Sequence, residues 1–267
     1  MPRMGLGGAL LDVEPCQYGY SRLQFRGPVA DESRPYLACI GGTETLGPFQ
    51  RAPFGQRLAQ ELRLGCANLG VRNAGADVFL RDPEVLSVAR GARAVVLETL
   101  SARNLTNVFY RVHPRRNDRV VEVMPALRDR VPELDPADIH FTGHLWAEVA
   151  RLAPAVFEEM RRTLRALWSE RMARLIEGLD GVPVHLVHFG GADALVDASL
   201  LEPLSPRVAS VTVISPSDAA REEGSSSLGF LPEEAAAAHA MESEASHREA
   251  AEALLKAMGA KKTARTG

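Results

Sequence analysis

Between residues 36 and 97, short apolar runs alternate with segments of helical pattern, and this alternation restricts the possible folds more than any other feature of the chain. Tyr36-Leu-Ala-Cys-Ile40 is an apolar run stopped by Gly41-Gly42. A run of that length, ended by glycines, reads as a strand buried on both faces. From Phe54 to Leu64 the apolar positions Phe54, Leu58, Leu62 and Leu64 favour a helix. Cys66-Ala-Asn-Leu69 reads as a second strand and Ala94-Val-Val-Leu97 as a third. Between them Asp82-Pro83 opens a helix running to about Arg90, because Asp caps well and Pro suits the first helical position. Strands separated by helices predict an α/β fold: a parallel sheet with helices on both faces. Two later strands, Val182 to Phe189 and Val208 to Ile214, and a closing helix from about Ser246 to Met258 complete the order.

The stretch between the third and fourth strands is unusually long. From Leu145 to Leu179 apolar residues recur mostly at intervals of three and four, which predicts one buried face. Pro154 is expected to kink or split that helix. Helices over 145–179 would either cover the core or form a homodimer contact. The expected organisation is an irregular segment 1–35, a single α/β domain 36–258 with a helical insertion at about 118–180, and a flexible tail 259–267. Arg221 to Glu234 reads as a loop.

Charge and composition exclude several classes. A net charge of −3 leaves no basic field for nucleic acid. No apolar run reaches the roughly 18–20 residues of a membrane span. The stretch Leu6–Leu11 ends at Asp12, too early for a secretory signal, so a cytoplasmic location away from membranes is expected. Cys16, Cys39 and Cys66 form no CxxC pair and predict no disulfide framework. His140, His144 and Glu148 share a helical spacing, but Gly143 intervenes and no Glu follows His140, so no metal is expected. Gly5-Leu-Gly7-Gly8 follows no strand, and the lysines (Lys256, Lys261, Lys262) stand far from any phosphate loop, so no cofactor is expected either.

The candidate chemistry sits in loops after the strands. Gly41-Gly42-Thr43-Glu44-Thr45-Leu46-Gly47 puts a hydroxyl at the C-terminal end of a buried parallel strand, where open α/β sheets bind ligands. Asn68-Leu-Gly70-Val-Arg-Asn73-Ala-Gly75 follows the second strand and Ser101-Ala-Arg-Asn104 the third. Glu244-Ala-Ser-His247 has a spacing at which a carboxylate can orient an imidazole, with His239 as the alternative base. His113-Pro-Arg115-Arg116-Asn-Asp-Arg119 concentrates guanidiniums able to clamp a phosphate, sulfate or carboxylate, with Arg22 and Arg26 as further candidates.

These loops resemble the blocks of the SGNH (GDSL-type) hydrolases. The first resembles Gly-Asp-Ser-x-Thr-x-Gly with Thr43 in the nucleophile slot and Gly42 in place of Asp. The second resembles Asn-x-Gly-x-x-Gly with Asn73 in the last slot. The third resembles Gly-x-Asn-Asp, with Ala102 and Leu105 departing from it, and Glu244-x-x-His247 resembles Asp-x-x-His. The resemblance implies a three-layer, flavodoxin-like SGNH-type sheet with an enlarged helical insertion. It implies an acyl-ester hydrolase or O-acyltransferase acting on a sugar or small anionic metabolite. Thr43 would attack, His247 would be the base, and Glu244 would orient it. Asn73 and Asn104 would serve the oxyanion. Gly42, Gly75, His113, Arg115, Arg116 and Arg119 would contact an acid-bearing substrate. The departures from the blocks also suit an inactive relative that binds a glycan or anionic ligand; an interaction protein dimerising through 145–179 is a third reading. Tyr18-Gly-Tyr-Ser-Arg-Leu23, Phe25-Arg-Gly-Pro28, Gly41-Gly-Thr-Glu-Thr45 and His113–Arg119 further resemble an uncharacterised bacterial family over most of the chain.

Overall fold

The computed structural model describes residues 13–190 and 194–259. The readings of Leu6–Leu11, of Gly5–Gly8 and of the tail beyond Gly259 lie outside the described residues. Nine strands occur among them: β1 (Pro15–Cys16), β2 (Phe25–Arg26), β3 (Tyr36–Gly41), β4 (Gly65–Gly70), β5 (Ala94–Glu98), β6 (Tyr110–His113), β7 (Arg116–Val123), β8 (Val184–Phe189) and β9 (Ser210–Ile214). The helices are α1 (Thr43–Leu46), α2 (Phe54–Leu62), α3 (Ala76–Leu80), α4 (Pro83–Gly91), α5 (Pro125–Arg128), α6 (Thr142–Leu152), α7 (Pro154–Glu177), α8 (Ala198–Leu201), α9 (Asp218–Glu223), α10 (Ala235–Ala238) and α11 (Glu244–Ala257).

The central sheet has seven strands in the order β1-β2-β4-β3-β5-β8-β9. From β4 to β9 all neighbours are parallel, and β1 and β2 extend the β4 edge antiparallel. The segment 1–35 is thus not wholly irregular; two short pairs bind it to the sheet. Along β3 the side chains alternate between two cores. Tyr36, Ala38 and Ile40 join a cluster containing Phe79, Val85, Leu164 and Trp168, whereas Leu37 and Cys39 meet Phe54, Leu58, Ala250 and Leu254. Helices α3, α4 and α7 therefore cover one face and α2 and α11 the other, which makes three layers. Because both faces are buried, the strands read as continuous apolar runs.

Asp82 caps α4 by accepting the Val85 N–H, as its position before Pro83 predicts. The long apolar segment divides at Ala153-Pro154 into α6 and α7, since proline cannot donate within a helix. Its apolar stripe, including Leu145, Val149, Met160, Leu164 and Trp168, lies in the chain's own core. That face therefore packs within the molecule. The expected helix near Asp118 is absent. Residues 110–123 form a β-hairpin instead, because Asn117 is buried and fixed at both ends, its Oδ1 accepting the Gly75 N–H (2.9 Å) and its Nδ2 donating to the His113 carbonyl (2.9 Å). The segment 221–234 is not purely loop: α9 runs into it and is followed by short 3₁₀ turns. Among the described residues no helix is long and apolar enough to cross a membrane.

Candidate functional site

The chain runs from β3 to β4 on one side and then crosses from β4 to β5 on the other side of β3. This reversal leaves a crevice at the C-terminal ends of β3 and β5, the place where doubly wound sheets accept ligands. A cleft of about 180 Å³ lies there, lined by Gly42, Thr43, Glu44, Asn73, Glu98, Thr99, Arg103, Asn104, His188 and Met241 among others. That is below the roughly 300–1,000 Å³ of sites for drug-sized ligands.

Glu98 forms the floor. It ends β5 and is buried. Its Oε2 accepts from the Gly42 N–H (2.9 Å), the Thr45 N–H (2.8 Å) and the Thr45 hydroxyl (2.5 Å). Gly41 permits this approach, because a Cβ there would overlap Thr45 Oγ1 and Glu98 Oε2. The second oxygen, Oε1, has no hydrogen-bond partner among the described residues and is not sealed off from solvent. Burial, with the nearby Glu44 charge as a smaller cause, pushes the carboxyl group up to about 7 against the three donors that favour its charge.

Asn73 knits the rim together. Its φ of 53° is left-handed, a conformation that Asn tolerates better than most residues and that glycine would adopt freely. Its N–H donates to Thr43 Oγ1 (3.0 Å), and the Thr43 hydroxyl donates back to Asn73 Oδ1 (3.1 Å). Asn73 Nδ2 donates to Asp118 on the hairpin (3.1 Å), and Asn104 Nδ2 donates to the Asn73 carbonyl (2.8 Å). The Asn104 Oδ1 in turn accepts from the Thr142 hydroxyl (2.7 Å). The loops after β3, β4 and β5 thus meet around one cleft, and Gly42, Thr43, Asn73 and Asn104 are brought together. Gly75 is not part of the lining; its N–H is held by Asn117.

The expected base is placed differently. His247 is fully buried; its Nδ1 accepts the Phe54 N–H (3.0 Å) and its Nε2 lies 3.1 Å from Glu44 Oε2. With Nδ1 accepting from a backbone donor, the ring proton belongs on Nε2 and is given to Glu44. Glu244 does not orient His247. Its carboxylate pairs with Arg57 (2.5 Å) and accepts the Arg51 N–H (3.1 Å). His239 stacks edge-on against Phe230, with 5.8 Å between centroids. His188, which the sequence did not single out for this role, lines the cleft, with Nδ1 2.8 Å from Thr99 Oγ1.

The arginine segment does not surround the cleft. His113 Nδ1 accepts the N–H groups of Arg115 and Arg116 (both 3.2 Å) and so closes the hairpin turn. Arg116 is exposed, and Arg119 lies over the Phe141 ring at 5.6 Å. Arg115 borders a separate cavity. A tight hairpin sends these side chains in different directions, so neighbours in sequence do not converge. Arg26 is buried in the fold, donating to the carbonyls of Gly47 (2.6 Å), Gln50 (2.9 Å) and Arg51 (3.2 Å). The cleft's cation is Arg103, half-buried and without an ion pair or side-chain hydrogen bond among the described residues.

A family model described as a domain of unknown function, DUF6473, matches residues 1–262. The chain belongs to the DUF6473 family. No curated protein matches the chain. Neither finding links this DUF6473 chain to the SGNH hydrolases, and membership brings no activity with it.

Proposed function

We propose that the switch-point cleft binds a small polyhydroxylated molecule bearing an acid group, of the sugar-acid class, and that Thr43 serves as a hydrogen-bonding group there and not as a covalent nucleophile. One observation carries this reading. The Thr43 hydroxyl is closed on Asn73 in both directions, while the ring nitrogens of His247 are engaged with Phe54 and Glu44. A side-chain amide is no proton acceptor for an attacking hydroxyl, and among the described residues no imidazole or carboxylate is hydrogen-bonded to Thr43 Oγ1. The remaining lining suits hydroxyl recognition. Thr43, Thr99, Asn73 and Asn104 offer donors and acceptors, and Glu98 Oε1 adds a carboxyl oxygen. Because Oε2 is filled by three donors, a proton on Glu98 belongs on Oε1, where it faces a ligand. Arg103 supplies the cation for a carboxylate.

Acyl-ester hydrolysis or transfer of the SGNH kind is the second reading. It is favoured by the convergence of Thr43, Asn73 and Asn104 on one cleft, in the order of that family's blocks. Calorimetric titration with hexuronic acids, beside the matching neutral hexoses, tests the first reading. Saturable binding of an acid, weakened about tenfold or more by Arg103→Ala, is expected. Turnover of p-nitrophenyl acetate with an acyl group trapped on Thr43, both lost in Thr43→Ala, would replace it with the second.

A further inference from the structure

A second cavity, of about 420 Å³, lies where the Tyr18–Ser21 turn, the start of α4 and the tip of the β6–β7 hairpin meet. Tyr20, Arg22, Arg81 and Arg115 border it, together with Asp82 and Glu84. We propose that this cavity binds a phosphorylated small molecule carrying a flat ring, with the arginines on the phosphate and Tyr20 against the ring.

The arginines are available. Arg22 and Arg115 have no ion pair or side-chain hydrogen bond among the described residues. Arg81 reaches Asp77 only at 3.5 Å, and that carboxylate already holds Arg171 at 3.0 Å. Of the two acids, Asp82 is committed: one oxygen accepts the Val85 N–H and the other the Ser21 hydroxyl (2.7 Å). Glu84 is folded against Gly19, where a Cβ would overlap its carboxylate. Three guanidiniums thus stand against two carboxylates, of which Asp82 is held by local donors, and this leaves a net positive charge for an anion. Guanidinium forks match phosphate oxygens in pairs.

Tyr20 supplies the second element. The residue is 93% exposed, unusual for a large aromatic residue. The exposure is built in. Ser21 N–H closes a turn on the Tyr18 carbonyl (3.1 Å), Gly19 takes the left-handed φ of 49° that the turn needs, and the Tyr18 hydroxyl accepts the Ala30 N–H (3.0 Å). Tyr18 is thereby held inward and its neighbour Tyr20 outward, beside the cavity. A solvated ring carried on a fixed turn offers a stacking platform. The cavity size lies within the range used by nucleotide-sized ligands.

The test is calorimetric titration of the full chain with adenosine 5′-monophosphate, inorganic phosphate and adenosine. The monophosphate should bind with a Kd below about 1 mM, a free energy of about −4 kcal/mol, and more tightly than phosphate or adenosine alone. Arg22→Ala/Arg115→Ala should weaken it at least about tenfold, and Tyr20→Ala should remove its advantage over inorganic phosphate. Arg161→Ala, at a half-exposed position on α7 that does not line the cavity, should leave it unaltered. All these side chains lie at the surface, so melting temperatures should hold. Absence of saturable binding by the native chain, or binding that survives the double replacement, would overturn the site. Equal affinity for phosphate and the monophosphate would overturn the role of the ring.

Discussion

Replacing Glu98 by Gln tests the electrostatics of the cleft without emptying it. The amide keeps an oxygen for the Gly42 and Thr45 donors and nearly the same volume, but it cannot ionise. In the native chain burial moves the carboxyl from 4.5 up to about 7. At about 1.4 kcal/mol for each tenfold change in proton affinity, that difference is worth about 3 kcal/mol. The folded state holds the proton more tightly than the unfolded state, so the unfolded state binds fewer protons between these two values. Stability contributed by protonated Glu98 is then complete below about 4.5 and falls as the pH rises through about 7. Urea unfolding at pH 5 and at pH 8, on both proteins, isolates the effect, since other titrating groups cancel in the double difference to first order. The native chain should lose about 2–3 kcal/mol more than Glu98→Gln on going from pH 5 to pH 8. Parallel pH profiles for the two proteins would refute the argument. They would mean that water entering from the cleft, or the three donors on Oε2, offsets the cost of burying the charge.

Arg26→Ala should cost about 3–5 kcal/mol in urea unfolding, because it strands the carbonyls of Gly47, Gln50 and Arg51 beneath the α1–α2 connection; a loss under about 1 kcal/mol would show that water replaces the guanidinium. Gly75→Ala should lower stability by about 1–3 kcal/mol, since its Cβ would overlap the Asn104 carbonyl. It should also weaken any ligand held by Asn73 and Asn104, whereas Gly143→Ala, with open space around it, should be neutral or stabilising in the same thermal melt.

Sequence pattern was sufficient wherever a segment's own residues decide its structure. The apolar run at Tyr36–Ile40, the Asp82-Pro83 start and the break at Pro154 all act locally, and each appears at or near the expected residue. The hairpin was illegible for the opposite reason. Arg116-Asn-Asp-Arg119 looks like a solvated charged stretch, and what makes it a strand is Asn117 bonding to Gly75, 42 residues away. The same contrast separates the position of the cleft from its chemistry. The order of strands and the glycines after β3 locate the cleft, and Thr43, Asn73 and Asn104 follow from that rule. Glu98 could have been found by it too, as an acid immediately beyond the apolar run Ala94–Leu97.

The roles of the titrating groups follow no such local rule. Glu244 and His247 sit three residues apart, at a spacing that can pair an acid with an imidazole, yet Ser243 caps α11 so that Glu244 falls in the first turn and reaches Arg57 of α2. His247 lies beneath Phe54 and Phe189 and meets Glu44, 203 residues away. A buried imidazole must satisfy both nitrogens, and it takes whichever donor and acceptor the packed helices present. Spacing within one helix therefore cannot say which carboxylate a buried histidine will meet. Here the choice buries His247 against Glu44 at the edge of the cleft, and leaves Glu98 as the carboxyl group with one oxygen free of hydrogen-bond partners among the described residues.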